Sequence, residues 1–374
     1  MSTILRRSDM EEILYGATFL GAGGGGPLKM GITKLDSLDA NKESTVEIEL
    51  LDLDEIKDDD YGAMVACLGS PEAMKNSDYG PDAVFAFEAL QKAMKLENKE
   101  VKYLYSGEMG GLNTFVPILV ALLSGKDVSQ RIKVLDVDSN GRAVPELNTS
   151  LPAARGFDPY PVGMGSLSGN KIVAYGINDK ESEDICRNLC QLYNLQIGFS
   201  TWAMSKLELK NNCIVGCLTK ALKVGQAILQ AKKEQKDPLE LLQPVMECKR
   251  LTTAYIIDKE TKIVNGFDVG TTTLEDAVTH ERFTILFQNE NMAVQRADGS
   301  TIITVPELIC MLCRDKNENA YMPLDNASTE KGMLIDVIIS PADELWWASD
   351  YKANECWIPC LKRAGYEGPQ IRYK

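Results

Sequence analysis

The chain has 374 residues, a formal net charge of −14 at pH 7 and a hydrophobic content of 44%. At roughly 100–200 residues per domain, this length predicts two domains. The negative charge argues against nucleic acid or an anionic membrane surface as a partner, because phosphate binding needs clustered Lys and Arg. No apolar signal region follows the N-terminal arginines, and no apolar run approaches the ~20 residues of a membrane span. We therefore expect a cytoplasmic protein.

The first 150 residues alternate between helical and strand-like patterns. Apolar residues at helical spacing predict helices at residues 9–20, 27–35, 83–96 and 114–123. Alternating or short apolar runs predict strands at 46–53, 64–68, 101–105 and 132–137. Strands that alternate with helices of this length favour an α/β domain, with a mostly parallel sheet flanked by helices.

A stretch rich in Pro, Gly and Ser at residues 148–169 predicts the boundary between domains 1–165 and 166–374. Beyond it, a strand at 172–176 precedes helices at 182–193 and 213–233. Short strands are then predicted at 252–257, 262–269, 282–288, 293–296, 301–305 and 337–339. The C-terminal domain is therefore expected to be α+β and strand-rich.

Ten cysteines are many for a reducing compartment, and eight of them form close pairs. The pairs are Cys186/Cys190, Cys213/Cys217, Cys310/Cys313 and Cys356/Cys360. Such spacings place both thiols on one helix face, where free Cys behaves as a small buried hydrophobe. A zinc or iron–sulfur site is the alternative, but zinc sites often include histidines and the chain has only His280.

A glycine run, Gly23, Gly24, Gly25 and Gly26, precedes the helix predicted from residue 27. Without β-carbons, its N–H groups could bind an anion or a carbonyl oxygen, aided by the helix N-terminus. A dinucleotide fingerprint would follow a strand, whereas this run follows a predicted helix, and the Gly-Lys-Ser/Thr of a P-loop is missing. No nucleotide cofactor is therefore expected. A tight helix–helix turn is the alternative.

Two acidic loops follow predicted strands, where open α/β sheets bind ligands. In the first, Glu108 suits acid–base chemistry, Gly110 and Gly111 offer N–H groups, and Asn113 is a ligand contact or a helix cap.

The second acidic loop contains five residues that could carry chemistry or form a solvated turn. Asp136 and Asp138 point to the same side of an extended chain, and with Glu146 they could bind a divalent metal or share a proton. Arg142 could pair with one of them or hold a substrate carboxylate.

A polar segment in the second half offers Asn289 and Glu290, which could close a cleft between the domains or form a hairpin turn. The nearby His280 is interpreted as structural, since a lone histidine is seldom catalytic.

In this order, the motifs resemble the family of S-methyl thiohydantoin desulfurases, often found beside hydantoinase and oxoprolinase genes. The matching segments are residues 20–26, 107–113, 136–146, 287–290 and 305–309. Glu307 departs from the usual Asp of the family, and the cysteine-rich tail at 354–365 matches nothing in it.

The resemblance implies an N-terminal α/β domain, a separate C-terminal domain and chemistry on a small five-membered cyclic amide. Our hypothesis is hydrolytic desulfuration, with Glu108 or the Asp136/Asp138 pair activating water and Arg142 anchoring a substrate carboxylate. Glycine N–H groups of either loop would bind the oxygen that becomes negative. The alternative functions are a non-catalytic or accessory subunit of a hydantoinase- or oxoprolinase-like system and a different cyclic-amide hydrolase. The chain could also form a homo-oligomer or bind a hydantoinase-like partner.

Overall fold

The computed structural model describes residues 2–40, 45–69, 77–264, 267–314 and 320–374. The helices are α1 (Arg7–Leu20), α2 (Leu28–Ala40), α3 (Pro81–Leu96), α4 (Phe115–Leu123), α5 (Leu151–Ala154), α6 (Asp179–Leu192), α7 (Lys206–Asn212), α8 (Cys217–Glu234), α9 (Pro238–Leu242) and α10 (Ile358–Arg363). None of the helices within these ranges has the length and apolarity that crossing a membrane requires.

The strands form two sheets. Those of the first are β1 (Thr3–Arg6), β2 (Glu47–Leu51), β3 (Tyr61–Gly69), β4 (Val101–Ser106), β5 (Lys133–Asp138), β6 (Val162–Gly165), β7 (Lys171–Ala174), β8 (Gln196–Ser205) and β9 (Ile214–Val215). Those of the second are β10 (Lys249–Val264), β11 (Phe267–Asp276), β12 (Arg282–Gln288), β13 (Glu290–Arg296), β14 (Thr301–Thr304), β15 (Leu308–Cys313), β16 (Pro323–Leu324) and β17 (Leu334–Ser340).

The first sheet is mixed rather than mostly parallel, which corrects the prediction. Its order is β1-β2-β5-β4-β3-β8-β6-β7, with β9 paired to β5. Parallel pairing is confined to β2–β5, β5–β4 and β4–β3. A short loop joins β6 to β7, so these strands pair as an antiparallel hairpin, and β8 pairs antiparallel with both β3 and β6. The predicted boundary at residues 165/166 falls inside this sheet.

Helix α8 returns from the second half of the chain to pack against α1. The two backbones touch at glycines: a β-carbon on Gly16 would lie 1.8 Å from Ala221 O, and one on Gly225 would lie 1.7 Å from Glu12 O. Helix α4 is apolar around most of its surface and is buried within the same core. These contacts fix the N-terminal glycine run, which directly follows α1.

The second sheet is antiparallel throughout, in the order β14-β13-β12-β11-β10-β17-β15-β16, and confirms the strand-rich C-terminal prediction. The strand predicted at 262–269 is divided between β10 and β11, and residues 265–266 lie outside the described ranges. Every side chain of β15 is buried. The paired cysteines Cys310 and Cys313 lie on that strand, so their spacing does not mark a helix face.

Candidate functional site

The glycine run forms the turn between α1 and α2, and its carbonyl oxygens bind the first acidic loop. Gly25 O accepts hydrogen bonds from the N–H groups of Leu112 (3.1 Å) and Asn113 (3.2 Å), and Gly26 O accepts one from Gly111 (3.0 Å). Gly25 and Gly26 have φ values of 74° and 87°, a left-handed conformation that favours glycine. The glycine run and the first acidic loop are therefore in direct contact.

Residues of the second sheet and its loops bind the same glycine run from the other side. The N–H of Asn291 donates to Ala22 O (2.9 Å), and the N–H of Asn326 donates to Gly23 O (2.8 Å). The Asn326 side chain also donates to Asn289 O (2.7 Å) and to Asn291 Oδ1 (3.0 Å). Asn289 is thus a structural turn residue, with a φ of 54° in the β12–β13 hairpin.

Glu108 lies at this junction and is partly exposed. Its carboxylate accepts hydrogen bonds from the Val144 N–H (2.8 Å) and the Asn113 side-chain amide (2.7 Å). Burial raises the pKa of Glu108 to about 7, although both hydrogen bonds and the nearby Arg142 charge oppose the rise. A carboxyl group with this pKa can take or give a proton near neutral pH.

Arg142 is fully buried, and most of its donors are bound to backbone oxygens. Its Nη1 donates to Pro306 O (2.6 Å) and Glu307 O (2.7 Å), and its Nε donates to Ala143 O (3.0 Å). The guanidinium centre lies 4.8 Å from the ring centre of Trp357. Within the described residues its buried Nη2 has no hydrogen-bond partner. Arg142 is therefore part of the wall of the site. Its guanidinium group cannot bind a carboxylate through two nitrogen atoms.

Glu290 begins β13 and brings a second carboxyl group to the same cluster. It is buried, and burial together with the Glu108 charge raises its pKa well above the ordinary value, while Arg142 opposes the rise. Its Oε2 is also without a hydrogen-bond partner among the described residues. The charge of Glu108 disfavours a second charge on Glu290, so the pair favours a state with one ionised and one protonated carboxyl group, which are the forms of a base and an acid.

The rim of the cluster is formed by Glu146, Gln288 and Arg363. Arg363 Nε donates to Gln288 Oε1 (3.0 Å), and its Nη2 forms an ion pair with Glu146. The predicted site residue Glu146 is thus present, but it binds an arginine that sequence reasoning missed. No local motif marks Arg363, because it meets Glu146 across 217 residues of chain.

The two predicted aspartates do not form a pair. Asp136 accepts hydrogen bonds from the N–H groups of Leu218 (2.7 Å) and Thr219 (3.2 Å), and so caps α8. Asp138 Oδ1 accepts from the N–H groups of Asn140 (2.7 Å) and Gly141 (2.6 Å), which shapes the turn before Arg142. Burial raises the pKa of Asp138 to about 7. Asp136 therefore supports the start of α8 and Asp138 Oδ1 supports the turn, while Asp138 Oδ2 is buried without a hydrogen-bond partner among the described residues.

The predicted N–H donors also divide into two groups. Gly24 donates to Gly21 O (3.1 Å), Gly110 donates to Thr114 Oγ1 (3.0 Å) and Gly111 donates to Gly26 O (3.0 Å), so none of these three N–H groups remains available to a ligand. The N–H groups of Gly23, Gly25 and Gly26 make no hydrogen bond to any described residue. The glycine run is therefore the better source of free donors.

Other candidate features lie apart from this cluster. His280 is exposed and lies 3.5 Å from Glu275. In the described part of the chain no group of three or more His, Cys, Asp or Glu residues could hold a metal ion. A surface cavity of about 410 Å³ near Leu167 and Tyr193 is lined by apolar, serine and amide side chains, without a carboxyl group or a basic residue. It offers no comparable acid–base chemistry.

The fold and the site define a two-domain protein with a carboxyl–arginine cluster at the junction of its sheets. Residues 8–175 match the family model of the S-Me-THD-like, N-terminal domain, and residues 177–356 match that of the S-Me-THD-like, C-terminal domain. The chain therefore belongs to the S-Me-THD-like family, which confirms the resemblance seen in the motifs. Helix α10, with Arg363, lies beyond the matched residues.

The whole chain is also similar to a solved structure. The X-ray crystal structure of a protein from Chromobacterium violaceum matches with a TM-score of 0.81 and 25% sequence identity, covering 100% of each chain. A search of curated proteins gave no significant match. The fold is thus shared over its full length, including the C-terminal segment after the family models end.

Proposed function

We propose that this protein hydrolyses an S-methyl thiohydantoin to a hydantoin and methanethiol, at the cluster of Glu108, Arg142 and Glu290. The observation that carries the proposal is the pairing of two carboxyl groups, each with its pKa raised by burial, around one buried arginine. Membership of the S-Me-THD-like family supports the substrate class. Such a pair supplies a base and an acid at the same pH.

In the first step, ionised Glu108 takes a proton from water while the water oxygen bonds to the ring carbon that carries sulfur. The π pair of the ring C=N bond moves to nitrogen, which takes the proton of Glu290. In the second step, the new hydroxyl group returns a proton to Glu290 as the carbonyl forms. The C–S bond breaks with its electron pair on sulfur, which takes the proton from Glu108. Both carboxyl groups regain their starting states.

Unpaired donors of the site would bind the oxygen atoms of the ring. Arg142 Nη2 and the N–H groups of Gly25 and Gly26 remain without partners among the described residues. Donors fixed in place before the reaction stabilise developing negative charge without reorganisation, which is why they favour such a step. Arg142 also stabilises the ionised form of Glu108.

The test is hydantoin formation measured by chromatography, which avoids thiol reagents that would react with the protein's own cysteines. We expect Glu108→Gln and Glu290→Gln each to lower turnover by about 100-fold or more, because each removes one proton-transfer group. Asp136→Asn, which keeps the side-chain acceptor of the helix cap, serves as the control. Full activity in both glutamine variants, with folding unchanged by circular dichroism, would contradict the proposal.

A further inference from the structure

Asn326 forms hydrogen bonds with both sequence neighbours of Glu290. Its side-chain amide donates to Asn289 O at 2.7 Å and to Asn291 Oδ1 at 3.0 Å. Asn291 Nδ2 in turn donates to Ile309 O at 2.8 Å, which fixes the orientation of that amide. Because Asn289 and Asn291 flank Glu290 at the start of β13, Asn326 holds the chain on each side of this carboxyl group.

The same residue also binds the glycine run. The N–H of Asn326 donates to Gly23 O (2.8 Å), and a β-carbon on Gly23 would lie 2.7 Å from Asn326 Nδ2. The next residue, Gly24, packs directly against Glu290 Oε1. Asn326 therefore connects the segment that carries the proposed acid with the turn that supplies N–H donors.

The direction of the Glu290 carboxyl group depends on the chain around it. Glu290 is buried, and no hydrogen bond from a described residue reaches its Oε2. Without such a bond, the position of this oxygen is set by the side-chain rotamer, the backbone and packing. A shift of residues 289–291 would therefore move the carboxyl group as well. Misplacement of a reacting group by about 1 Å can lower a rate about 100-fold.

Lys259, on β10, fixes the turn that contains Asn326. Its ammonium group donates to Asn326 O (2.5 Å), Thr329 O (2.9 Å) and Thr329 Oγ1 (2.9 Å), which matches its three N–H donors. Burial lowers the pKa of Lys259, and the charge of Asp325 opposes this effect. A cation is therefore part of the structure that supports Asn326.

We infer that Asn326 is a positioning residue that holds Glu290 against the glycine run, so that the acid and the N–H donors face the same bound ring. The Lys259 ammonium group fixes Asn326 in this position. The inference rests on the proposed function, because it takes Glu290 to be the acid. Asn326 transfers no proton and Lys259 binds no substrate, so both affect turnover through Glu290.

The first experiment is a double-mutant cycle on the full-length protein, with hydantoin formation as the readout. Asn326→Leu keeps most of the side-chain shape and removes both side-chain donors. We expect it to lower kcat/KM about 30-fold in wild type and less than about twofold in a Glu290→Gln background, because residues that act together are not additive. A smaller active fraction would give the same loss in both backgrounds, and that result would overturn the positioning role.

Chemical rescue tests Lys259 separately. Lys259→Ala removes the ammonium group and leaves space for a small cation. We expect turnover to fall about 10-fold and added methylammonium chloride to restore most of it, whereas sodium chloride at the same ionic strength should not. Lys262→Ala, an exposed lysine on the same strand, is the matched control and should keep wild-type turnover. Wild-type turnover in Lys259→Ala, or equal effects of the two salts, would overturn the role of the ammonium group.

Amide hydrogen exchange, followed by mass spectrometry, needs no substrate and separates this inference from the proposed function. In Asn326→Leu we expect faster exchange in residues 22–26 and 289–293, and unchanged exchange in β7, an edge strand of the first sheet. If wild type forms hydantoin and exchange in the variant is unchanged, the positioning role is overturned and the proposed function stands. If wild type forms no hydantoin, the proposed function is overturned, and the positioning role falls with it.

Discussion

Glu290 packs so closely against Gly24 that a β-carbon on the glycine would lie 2.1 Å from Glu290 Oε1. The glycine comes from the turn after α1, and the carboxyl group comes from the second sheet. The site therefore depends on a contact between the halves of the chain that only a residue without a side chain allows. The glycine run therefore leaves space for the Glu290 side chain and also supplies N–H donors.

We expect Gly24→Ala to lower kcat/KM by about 100-fold, because the added methyl group displaces Glu290, and a misplacement of about 1 Å can cost that much. Backbone strain should contribute little, since Gly24 is not among the glycines with positive φ. The measurement is a double-mutant cycle with Glu290→Gln. In that background Gly24→Ala should add almost no further loss. Additive losses would show that Gly24 acts independently of Glu290.

The dependence of kcat/KM on pH should follow the two carboxyl groups. Activity should rise as pH increases through about 7, because Glu108 must lose its proton to act as base. It should fall again at higher pH as Glu290 ionises, since the acid form is then lost. The profile is measured from pH 5 to 10 for wild type and Glu290→Gln, whose residual activity should lack the alkaline fall. A rise centred near pH 4.5 would show that the pKa of Glu108 is not raised in the folded protein, and would contradict its role as the base at neutral pH.

Part of this site was visible in the sequence, because loops after adjacent parallel strands meet at one sheet edge. From this rule, the sequence predicted that Glu108 and Arg142 lie close together. It could not separate Glu108 from Asp136, since the direction of the Asp136 side chain is set by its binding to the start of α8, late in the chain. Arg363 was missed because its partners depend on tertiary packing across 217 residues.

The same distinction applies to the fold. Elements set by local sequence patterns were predicted, and elements set by contacts between distant residues were missed. The strand-rich second half was predicted from its alternating patterns and turns. Strand β8 was missed because Gly198 interrupts its apolar pattern, and a β-carbon there would lie 2.2 Å from the backbone of Asp82 on α3. Strand β15 was missed because all its side chains are buried, which removes the alternation that marks a strand.

Relative to wild type, Asp138→Asn should gain about 2–3 kcal/mol of stability between pH 5 and pH 8.5, because wild type loses about 1.4 kcal/mol for each pH unit up to the folded pKa of about 7. Burial raises the pKa of Asp138 from 3.8 to about 7 in the folded state. A raised pKa means that the folded state binds the proton more tightly, so this stabilisation is complete below pH 3.8 and is lost as pH rises through about 7. The Asn variant stays neutral and keeps an oxygen for the N–H groups of Asn140 and Gly141.

The measurement for Asp138 is urea unfolding of both proteins at each pH. The comparison isolates Asp138, because Glu108 and other groups titrate in both. The same stability difference between the two proteins at pH 5 and at pH 8.5 would show that the Asp138 carboxylate is not penalised by burial. A large loss of turnover in the folded Asp138→Asn variant would instead show that Asp138 takes part in the reaction.

Asp136→Ala should destabilise the protein by about 1–2 kcal/mol, because the first N–H groups of α8 lose their acceptor. Turnover per folded molecule should stay within about threefold of wild type, since Asp136 binds α8 and not the carboxyl cluster. Asp136→Asn retains an acceptor oxygen and should recover most of the lost stability. Thermal unfolding and hydantoin formation are measured on the same samples. A fall in turnover beyond tenfold in both variants, with melting temperatures near wild type, would place Asp136 in the reaction and contradict its role as a helix cap.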